Sequence, residues 1–363
     1  MVIPIILGGA AAIAGITGLV KGGQAIVNGS NAKEIMKTAK NMYEEAEEIL
    51  EMQREKTSEQ LERLGELKLQ AWSEDIGEFV KLYSKFKHVD LESFASQDSL
   101  SPSHSSKLAN LAELKLASLK ASEVIKGGVS SLGAGALAGV ASYGGAMMFA
   151  SASTGTAIAS LSGAAATNAT LAWFGGGSLA AGGLGVAGGT LVLGGVVVAP
   201  VLAVAGFIMA AKAEENLAQA RKTYAEVAAK VEEMGLLVDF MVKVEDLAFR
   251  YETFIQKVRK GYAQQLHDLR DVVGRAERDQ SRLLLNRIKK LLGRSLTLDF
   301  RRLSLADQKQ LHHIWLSTQI LHTILVHPLL TKEGDLAEDA PLVLEQANQS
   351  LLELPENVGA VYG

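Results

Sequence analysis

The sequence predicts an all-α fold, an elongated bundle of long amphipathic helices with a central apolar, Gly/Ala-rich helical hairpin. First, apolar residues recur at steps of three and four over two long stretches, which is the period of one helix face. Second, residues 127–211 contain no Asp, Glu, Lys or Arg, so the 36 basic and 40 acidic residues all lie elsewhere. Third, no segment outside this run has the alternation typical of a strand. These patterns divide the chain into regions 1–27, 28–126, 127–211, 212–302 and 303–363.

The first region, residues 1–27, is apolar and begins without the Lys or Arg of a secretory signal. Residues 2–20 are barely long enough to span a bilayer. Their four glycines favour close packing over a solitary anchor. A membrane role and a helix that caps a buried core are both compatible with this pattern.

The region 28–126 predicts a long helix that starts at a capping box, since the Asn31 side chain can accept an amide and Glu34 can return the bond. Its apolar stripe, which needs a partner helix, comprises Ile35, Ala39, Met42, Ala46, Ile49, Leu61, Leu64, Trp72, Ile76, Phe79, Tyr83 and Phe86. Residues 54–60 contain no apolar side chain, so the helix there is expected to be solvated, frayed or interrupted. Residues 88–106 have the composition of a surface loop, and a shorter amphipathic helix is predicted over Leu108–Ile125.

The region 212–302 begins with an uninterrupted helical stripe, which predicts a helix from Ala213 to Leu269 about 85 Å long. Such a rod implies an elongated bundle or a coiled coil. Further helices are predicted at Ser281–Arg294, Ser304–Val326 and Leu342–Leu354.

Residues 127–211, which we call the apolar block, hold 20 of the 36 glycines and would be costly to leave in water. Their length suits two spans and a turn, with arms at 132–161 and 179–211. We expect the membrane-inserting residues to include Leu132, Trp173, Phe174, Val192, Val197, Leu202 and Phe207. Trp173 and Phe174 would then lie near the tip, where aromatic rings suit an interface.

Small residues recur every fourth position in both arms, a spacing that lets helix backbones approach closely in lipid. The predicted helix-packing residues are Ala138, Ser142, Ala146, Ala181, Gly185 and Gly189. A strand pair in the second arm, permanent burial within the bundle and a constitutive anchor are the alternatives.

A local basic patch lies between Lys257 and Arg302, a stretch that contains 13 Lys or Arg residues and only five acidic residues. Its amphipathic segment suits an anionic lipid surface through Arg282, Arg287, Lys289, Lys290 and Arg294, although a solvated helix face explains it equally well. The acidic C-terminal residues could cover this patch in a resting form. No nucleic-acid motif accompanies it, and no nucleic-acid partner is expected.

The sequence does not predict an enzyme. It lacks cysteine and shows neither a GxxxxGK[ST] phosphate loop nor a GxSxG nucleophile elbow. His312, His313, His322 and His327 lack the spacing of a helical two-histidine metal site. We therefore expect no catalytic residue, no cofactor and no metal.

The order of long helices, apolar block and long helices resembles the α-helical pore-forming proteins of the cytolysin A and haemolysin BL type. The resemblance is architectural, and it rests on residues 31–125, 127–211 and 213–269 without a shared motif. It implies a soluble form that packs its apolar element against the bundle, then inserts it and oligomerises.

We therefore expect a membrane-associated protein that inserts into a lipid bilayer, forms a homo-oligomer and permeabilises or remodels the membrane. The alternative is a constitutively anchored coiled-coil scaffold that recruits a partner protein through its long helices. A toxin, a defence effector and a housekeeping membrane protein would share these features, and the compartment stays open.

Overall fold

A computed structural model describes residues 13–21, 31–89, 110–126, 133–143, 217–281, 297–331 and 335–354. The all-α prediction is confirmed. The helices are α1 (13–21), α2 (Ala32–Gln70), a π-helical segment (Ala71–Ile76), α3 (Gly77–Tyr83), α4 (Leu111–Lys126), α5 (Gly133–Tyr143), α6 (Leu217–Ser281), α7 (Leu305–Val326) and α8 (Ala340–Leu352). Two short strands, β1 (Phe86–Lys87) and β2 (Leu298–Asp299), pair in parallel, and a 3-10 turn (Phe300–Arg302) follows β2.

Helix α2 begins at the predicted capping box. The Asn31 Oδ1 atom accepts the Glu34 amide at 3.0 Å, and the Glu34 carboxylate accepts the Asn31 amide at 3.4 Å. The helix then continues through the π-helical segment into α3 without leaving helical backbone angles. Residues 54–60 are therefore helical, and the interruption that their polar composition allowed does not occur.

Helices α2 and α6 lie side by side and run in the same direction. We call the continuous helix from α2 through α3 the rod. Four side-chain contacts join the rod, or the turn that follows it, to α6, and in each of them the two residues are 192 positions apart; only a parallel pair gives such a constant separation. The contacts are Gln53–Glu245, Gln60–Glu252, Glu78–Arg270 and Lys85–Glu277. The first two pairs are seven residues apart, as are the last two, which is the heptad spacing of a coiled coil. Helix α6 has 65 residues, so it is about 98 Å long and extends past the predicted end at Leu269.

Two hydrophobic cores lie along this helix pair. The smaller core joins α1 to the first halves of α2 and α6, and Ile16, Ile35, Val227 and Val231 are almost fully buried in it. The larger core joins the second halves to the remaining helices. Helix α1 packs tightly, because a Cβ atom on Gly235 would lie 3.1 Å from the Ile16 side chain. The described part of the N-terminal region thus lies in a core.

A buried polar layer separates the two cores. Gln53, Thr57 and Gln60 of α2 are buried, and the Gln53 amide donates to the Glu245 carboxylate at 2.6 Å. The Thr57 hydroxyl bonds to its own helix and to the Met241 carbonyl of α6. These three residues occupy the same face as the apolar stripe and satisfy their polar groups across the helix pair.

The larger core contains an aromatic cluster at the end of the rod. The Trp315 ring of α7 lies 5.5 Å from the Tyr83 ring and 6.1 Å from the Phe79 ring, and His322 meets Trp72 edge-on at 5.6 Å. Helix α7 starts at Ser304, whose side chain accepts the Asp307 amide as an N-cap. The predicted start of this helix is confirmed.

Helix α4 packs through small residues. Leu114, Ala117, Ser118, Ala121 and Val124 are buried, whereas Leu116 and Leu119 are about half exposed. The core-facing side therefore includes Leu114 but neither Leu116 nor Leu119.

Candidate functional site

Helix α5 is the one part of the apolar block that the structure describes, and it docks on α2 where Gly65 lies. Residues Leu137, Ala138, Val140, Ala141 and Ser142 are all buried. A Cβ atom on Gly65 would lie 2.0 Å from the Leu137 carbonyl oxygen, well inside any permitted contact. Glycine is therefore required here because the two helix backbones touch.

Lys68 lies one turn after Gly65 and is fully buried. Its Nζ atom donates to the Ala141 carbonyl oxygen at 3.0 Å and to the His327 carbonyl oxygen at 3.3 Å. The same ammonium lies 5.7 Å from the centre of the Tyr251 ring, within cation–π range. One side chain of α2 thus connects α5, α6 and the C-terminal end of α7.

Burial lowers the pKa of Lys68 from 10.5 to about 7. A buried ammonium is costly unless it is paired, and here its partners are carbonyl dipoles and an aromatic face. The carbonyl groups at a helix C-terminus carry partial negative charge, which offsets part of the cost of burying the ammonium, but burial outweighs them in the pKa of Lys68. The lysine is therefore close to its titration point at neutral pH.

The carbonyl end of α5 has a second set of partners in the segment that follows α7. The Ser142 carbonyl oxygen accepts the amides of Leu329 at 2.6 Å and Leu330 at 3.1 Å. The last carbonyls of a helix have no partner within the helix, so these bonds satisfy groups that would otherwise be buried without one. We call Lys68, Leu329 and Leu330, with the carbonyls they bind, the α5 clamp.

The segment between α7 and α8 is itself held in place. The Ala337 amide donates to the Leu329 carbonyl at 2.9 Å, and the Tyr251 hydroxyl donates to the Ala340 carbonyl at 2.9 Å. The His327 Nε2 atom lies 3.4 Å from the Asp339 Oδ1 atom. Burial lowers the pKa of His327 despite the nearby Asp339 carboxylate, and the Lys68 charge lowers it further.

The π-helical segment begins three residues after Lys68, and a charge network fixes it. Arg259 of α6 contacts the carboxylates of Asp75 and Glu74 and the Gln70 amide oxygen. Burial raises the pKa of Asp75 to about 6, although Arg259 opposes this shift. Single π-helical turns often occur at functional sites, and this one lies between the α5 clamp and α4.

Two of the predicted helix-packing residues belong to this site. Ala138 belongs to the larger hydrophobic core, and Ser142 is fully buried. The other four packing residues (Ala146, Ala181, Gly185 and Gly189), the seven predicted membrane-inserting residues and the five predicted lipid-contacting cations fall outside the described residues. Sequence reasoning missed Gly65 and Lys68.

The acidic C-terminal region includes a packed helix. Helix α8 buries Ala340, Leu344, Ala347 and Leu351 in the larger core, while its one acidic side chain, Glu345, is exposed. A deletion that begins at Asp335 would therefore remove core residues as well as charge. Of the 13 basic residues in the patch that these acids were expected to cover, the five predicted lipid-contacting cations lie outside the described residues and the other eight lie within them.

Among the described helices, none combines the length and the apolar character that a bilayer crossing requires. Within the same residues, no group of three His, Cys, Asp or Glu side chains could hold a metal ion. A scan against protein-family models and searches of curated proteins and solved structures found no match to this chain.

Proposed function

We propose that the protein inserts its apolar block into a lipid bilayer, oligomerises, and permeabilises or remodels the membrane. The observation that carries this proposal is the uncharged run 127–211, whose described helix α5 is bound through its backbone carbonyls by Lys68 of α2 and by the segment that follows α7. Without charged residues, such a run requires protein or lipid around it. Its length is ample for two bilayer spans.

The way α5 docks supports a block that can leave the bundle. Three of its five buried side chains are two alanines and a serine, which bury little apolar area, and only Leu137 and Val140 are larger. The rest of the attachment includes hydrogen bonds to the carbonyls of Ala141 and Ser142. In the resemblance to cytolysin A-type proteins, an apolar element likewise packs against the bundle before it inserts.

Dye release from liposomes, with the protein purified without detergent, tests the proposal. We expect release of a trapped dye together with a shift to a large oligomer in sedimentation. Tight binding without release would favour an anchored scaffold. A monodisperse protein that ignores lipid would mean that the block is a permanently buried core, and it would refute insertion.

We call Gly185 and Gly189, which are four residues apart in the second arm, the glycine ridge. Their substitution gives a matched test of assembly. The double variant Gly185→Leu with Gly189→Leu should block close helix approach and reduce dye release at least tenfold, because small residues provide the contact surface in lipid. The control is Gly18→Leu with Gly274→Leu, since a Cβ on Gly18 meets nothing within 4 Å and one on Gly274 meets the end of a flexible arginine. Equal leakage from both double variants would argue against the ridge.

The second candidate function is a constitutively anchored scaffold that recruits a partner protein through its long helices. The parallel pairing of α2 and α6 favours it, because heptad-spaced contacts along a rod are typical of coiled-coil scaffolds. The sedimentation and leakage measurements above separate the two, since a scaffold binds liposomes and leaves the dye inside.

A further inference from the structure

The α5 clamp holds one end of a single helix and has a simple composition. Three donors, the Lys68 ammonium and the amides of Leu329 and Leu330, meet two consecutive carbonyls, those of Ala141 and Ser142. The two amides are permanent donors. The ammonium is the one member that can lose a proton, and its donors also reach the His327 carbonyl.

We infer that Lys68 makes the α5 clamp sensitive to protons, so that acidification releases the start of the apolar block from the bundle. This inference rests on the proposed function, because release is the step that must precede insertion. It assigns Lys68 a positioning role, exerted through the backbone of α5.

The direction of the effect follows from the full burial of Lys68, whose hydrogen-bond partners are backbone carbonyls and which has no carboxylate partner among the described residues. The docked form therefore binds a proton less readily than a form in which the lysine meets water. The pKa of Lys68 is about 7 when α5 is docked and near 10.5 when the lysine is exposed to water. Between these values the open form binds the extra proton, so the open fraction rises by up to about tenfold per pH unit as pH falls. Below about pH 7 both forms are protonated, and Lys68 adds no further dependence.

His327 lies next to the clamp, and its ring meets Asp339. Burial lowers its pKa below the ordinary value of 6.5, so this ring stays neutral over the pH range in which Lys68 responds. The other titratable groups that face the clamp are Tyr251, whose pKa burial raises, and the exposed carboxylate of Asp339, which opposes the shift of His327. Arg250 is a charged neighbour of Tyr251.

Thiol labelling measures the opening of α5 directly and needs no membrane. The chain has no cysteine, so an Ala138→Cys variant carries one thiol, and that position is buried in the docked helix. Its labelling rate with a neutral maleimide is divided by the rate of the same protein unfolded in urea at the same pH. We expect this ratio to rise at least tenfold between pH 8.5 and pH 7.

A matched control reports opening elsewhere. Ala117 of α4 is fully buried in the same core, and an Ala117→Cys variant should show a nearly constant ratio over this range. If the two thiols respond in parallel, the whole bundle opens and the local clamp is refuted. A constant ratio for Cys at position 138 would refute it as well.

Variants of the lysine separate its proton from its packing. In the Ala138→Cys background, Lys68→Met removes the titration, so the ratio should become independent of pH between 7 and 8.5 at whatever level it has. Lys68→Arg, which stays charged, should do the same if the methionine variant fails to fold. Lys81→Met changes an exposed lysine on the same rod and should leave the profile steep. An unchanged slope in both Lys68 variants would overturn the role of Lys68.

The labelling and leakage measurements can refute the clamp and membrane insertion independently of each other. Acid-dependent opening without dye release would leave the clamp standing and remove insertion. Dye release with a flat labelling profile would leave insertion standing and remove the clamp.

Discussion

At the scale of single residues, Gly65 and Lys68 lie one turn apart on α2 and both meet backbone atoms of α5. Gly65 allows the Leu137 carbonyl to touch the rod, and Lys68 binds the Ala141 carbonyl. Contacts with backbone atoms do not depend on the identity of the side chains in α5. The docking site can therefore accept a helix made of small apolar residues, which is the composition of the apolar block.

The close approach at Gly65 predicts a large effect of a single methyl group. Gly65→Ala should lower the free energy of unfolding by about 1–3 kcal/mol, because α5 must move away from the rod. Gly77→Ala on the same rod is the control, since its Cβ would make only ordinary contacts, the nearest at 3.7 Å. It should stabilise the helix by about 0.5–1 kcal/mol. Urea unfolding of both variants measures the difference, and equal effects would mean that α5 does not dock at Gly65.

The sequence shows that Lys68 lies on the apolar stripe, but it does not show that other helices enclose this side chain. The stripe of α2 steps from Leu64 to Trp72, and Lys68 fills the position four residues from each. A lysine at such a position is usually expected to extend its amine to solvent along its aliphatic stem. Only the arrival of α5 and the end of α7 over this position encloses it, and contacts so distant in sequence leave no periodic signal.

At the scale of elements, the polar layer between the two cores has the same origin. Gln53, Thr57 and Gln60 continue the stripe through residues 54–60, where apolar side chains are missing. The sequence thus indicated the position of the layer, although a solvated or interrupted helix was equally compatible. Buried polar pairs of this kind fix the register of paired helices, because a shifted register would leave them without partners.

A double-mutant cycle tests the layer. Gln53→Leu alone should cost about 1–3 kcal/mol, because the buried Glu245 carboxylate loses its 2.6 Å partner. Gln53→Leu combined with Glu245→Leu should recover that loss or exceed the original stability, since both polar groups are then absent. The exposed pair Glu59–Arg63 is the control, and Glu59→Leu should change stability by less than about 0.5 kcal/mol. Additive effects of Gln53→Leu and Glu245→Leu would contradict direct pairing.

Local signals located most helices and failed where packing decides. The capping box at Asn31 and the N-cap at Ser304 are short-range hydrogen-bond patterns that the sequence predicts directly. In α4 the leucines do not mark the buried face, because Leu114 is buried but Leu116 and Leu119 are about half exposed. Ala117, Ser118 and Ala121 take the other buried positions. Residue size at a contact depends on the distance between helices, which a single sequence does not contain.

At the scale of the whole molecule, the parallel direction of α2 and α6 could not be predicted. An apolar stripe packs equally well against a parallel or an antiparallel partner, so periodicity alone leaves both arrangements open. The 192-residue offset shared by four contacts establishes the direction. The elongated all-α class, by contrast, followed from stripe length alone.

Spin-label distances test this arrangement. Labels at the exposed pairs Lys40 with Glu232 and Glu51 with Lys243 lie at matching levels of a parallel pair, so both distances should be short and similar. In an antiparallel pair, the offset between the two labels along the helix axis would change by about 33 Å from one pair to the other. Electron–electron double resonance measures them in the cysteine-free chain. One short and one long distance would contradict the fold.

Parallel helices need a return path, and here most of that path belongs to the apolar block. Tyr143 leaves the described part of the block near the level of Lys68, whereas Leu217 begins α6 near the level of Ala32. These levels are about 55 Å apart along the rod, nearly twice the thickness of a bilayer core. Two antiparallel spans of equal length would end at the level along the rod at which they began. If α2 and α6 stay paired, the two ends of a block that enters a membrane remain attached to the helix pair at two different levels. This limits how deeply either end of the block can enter the membrane.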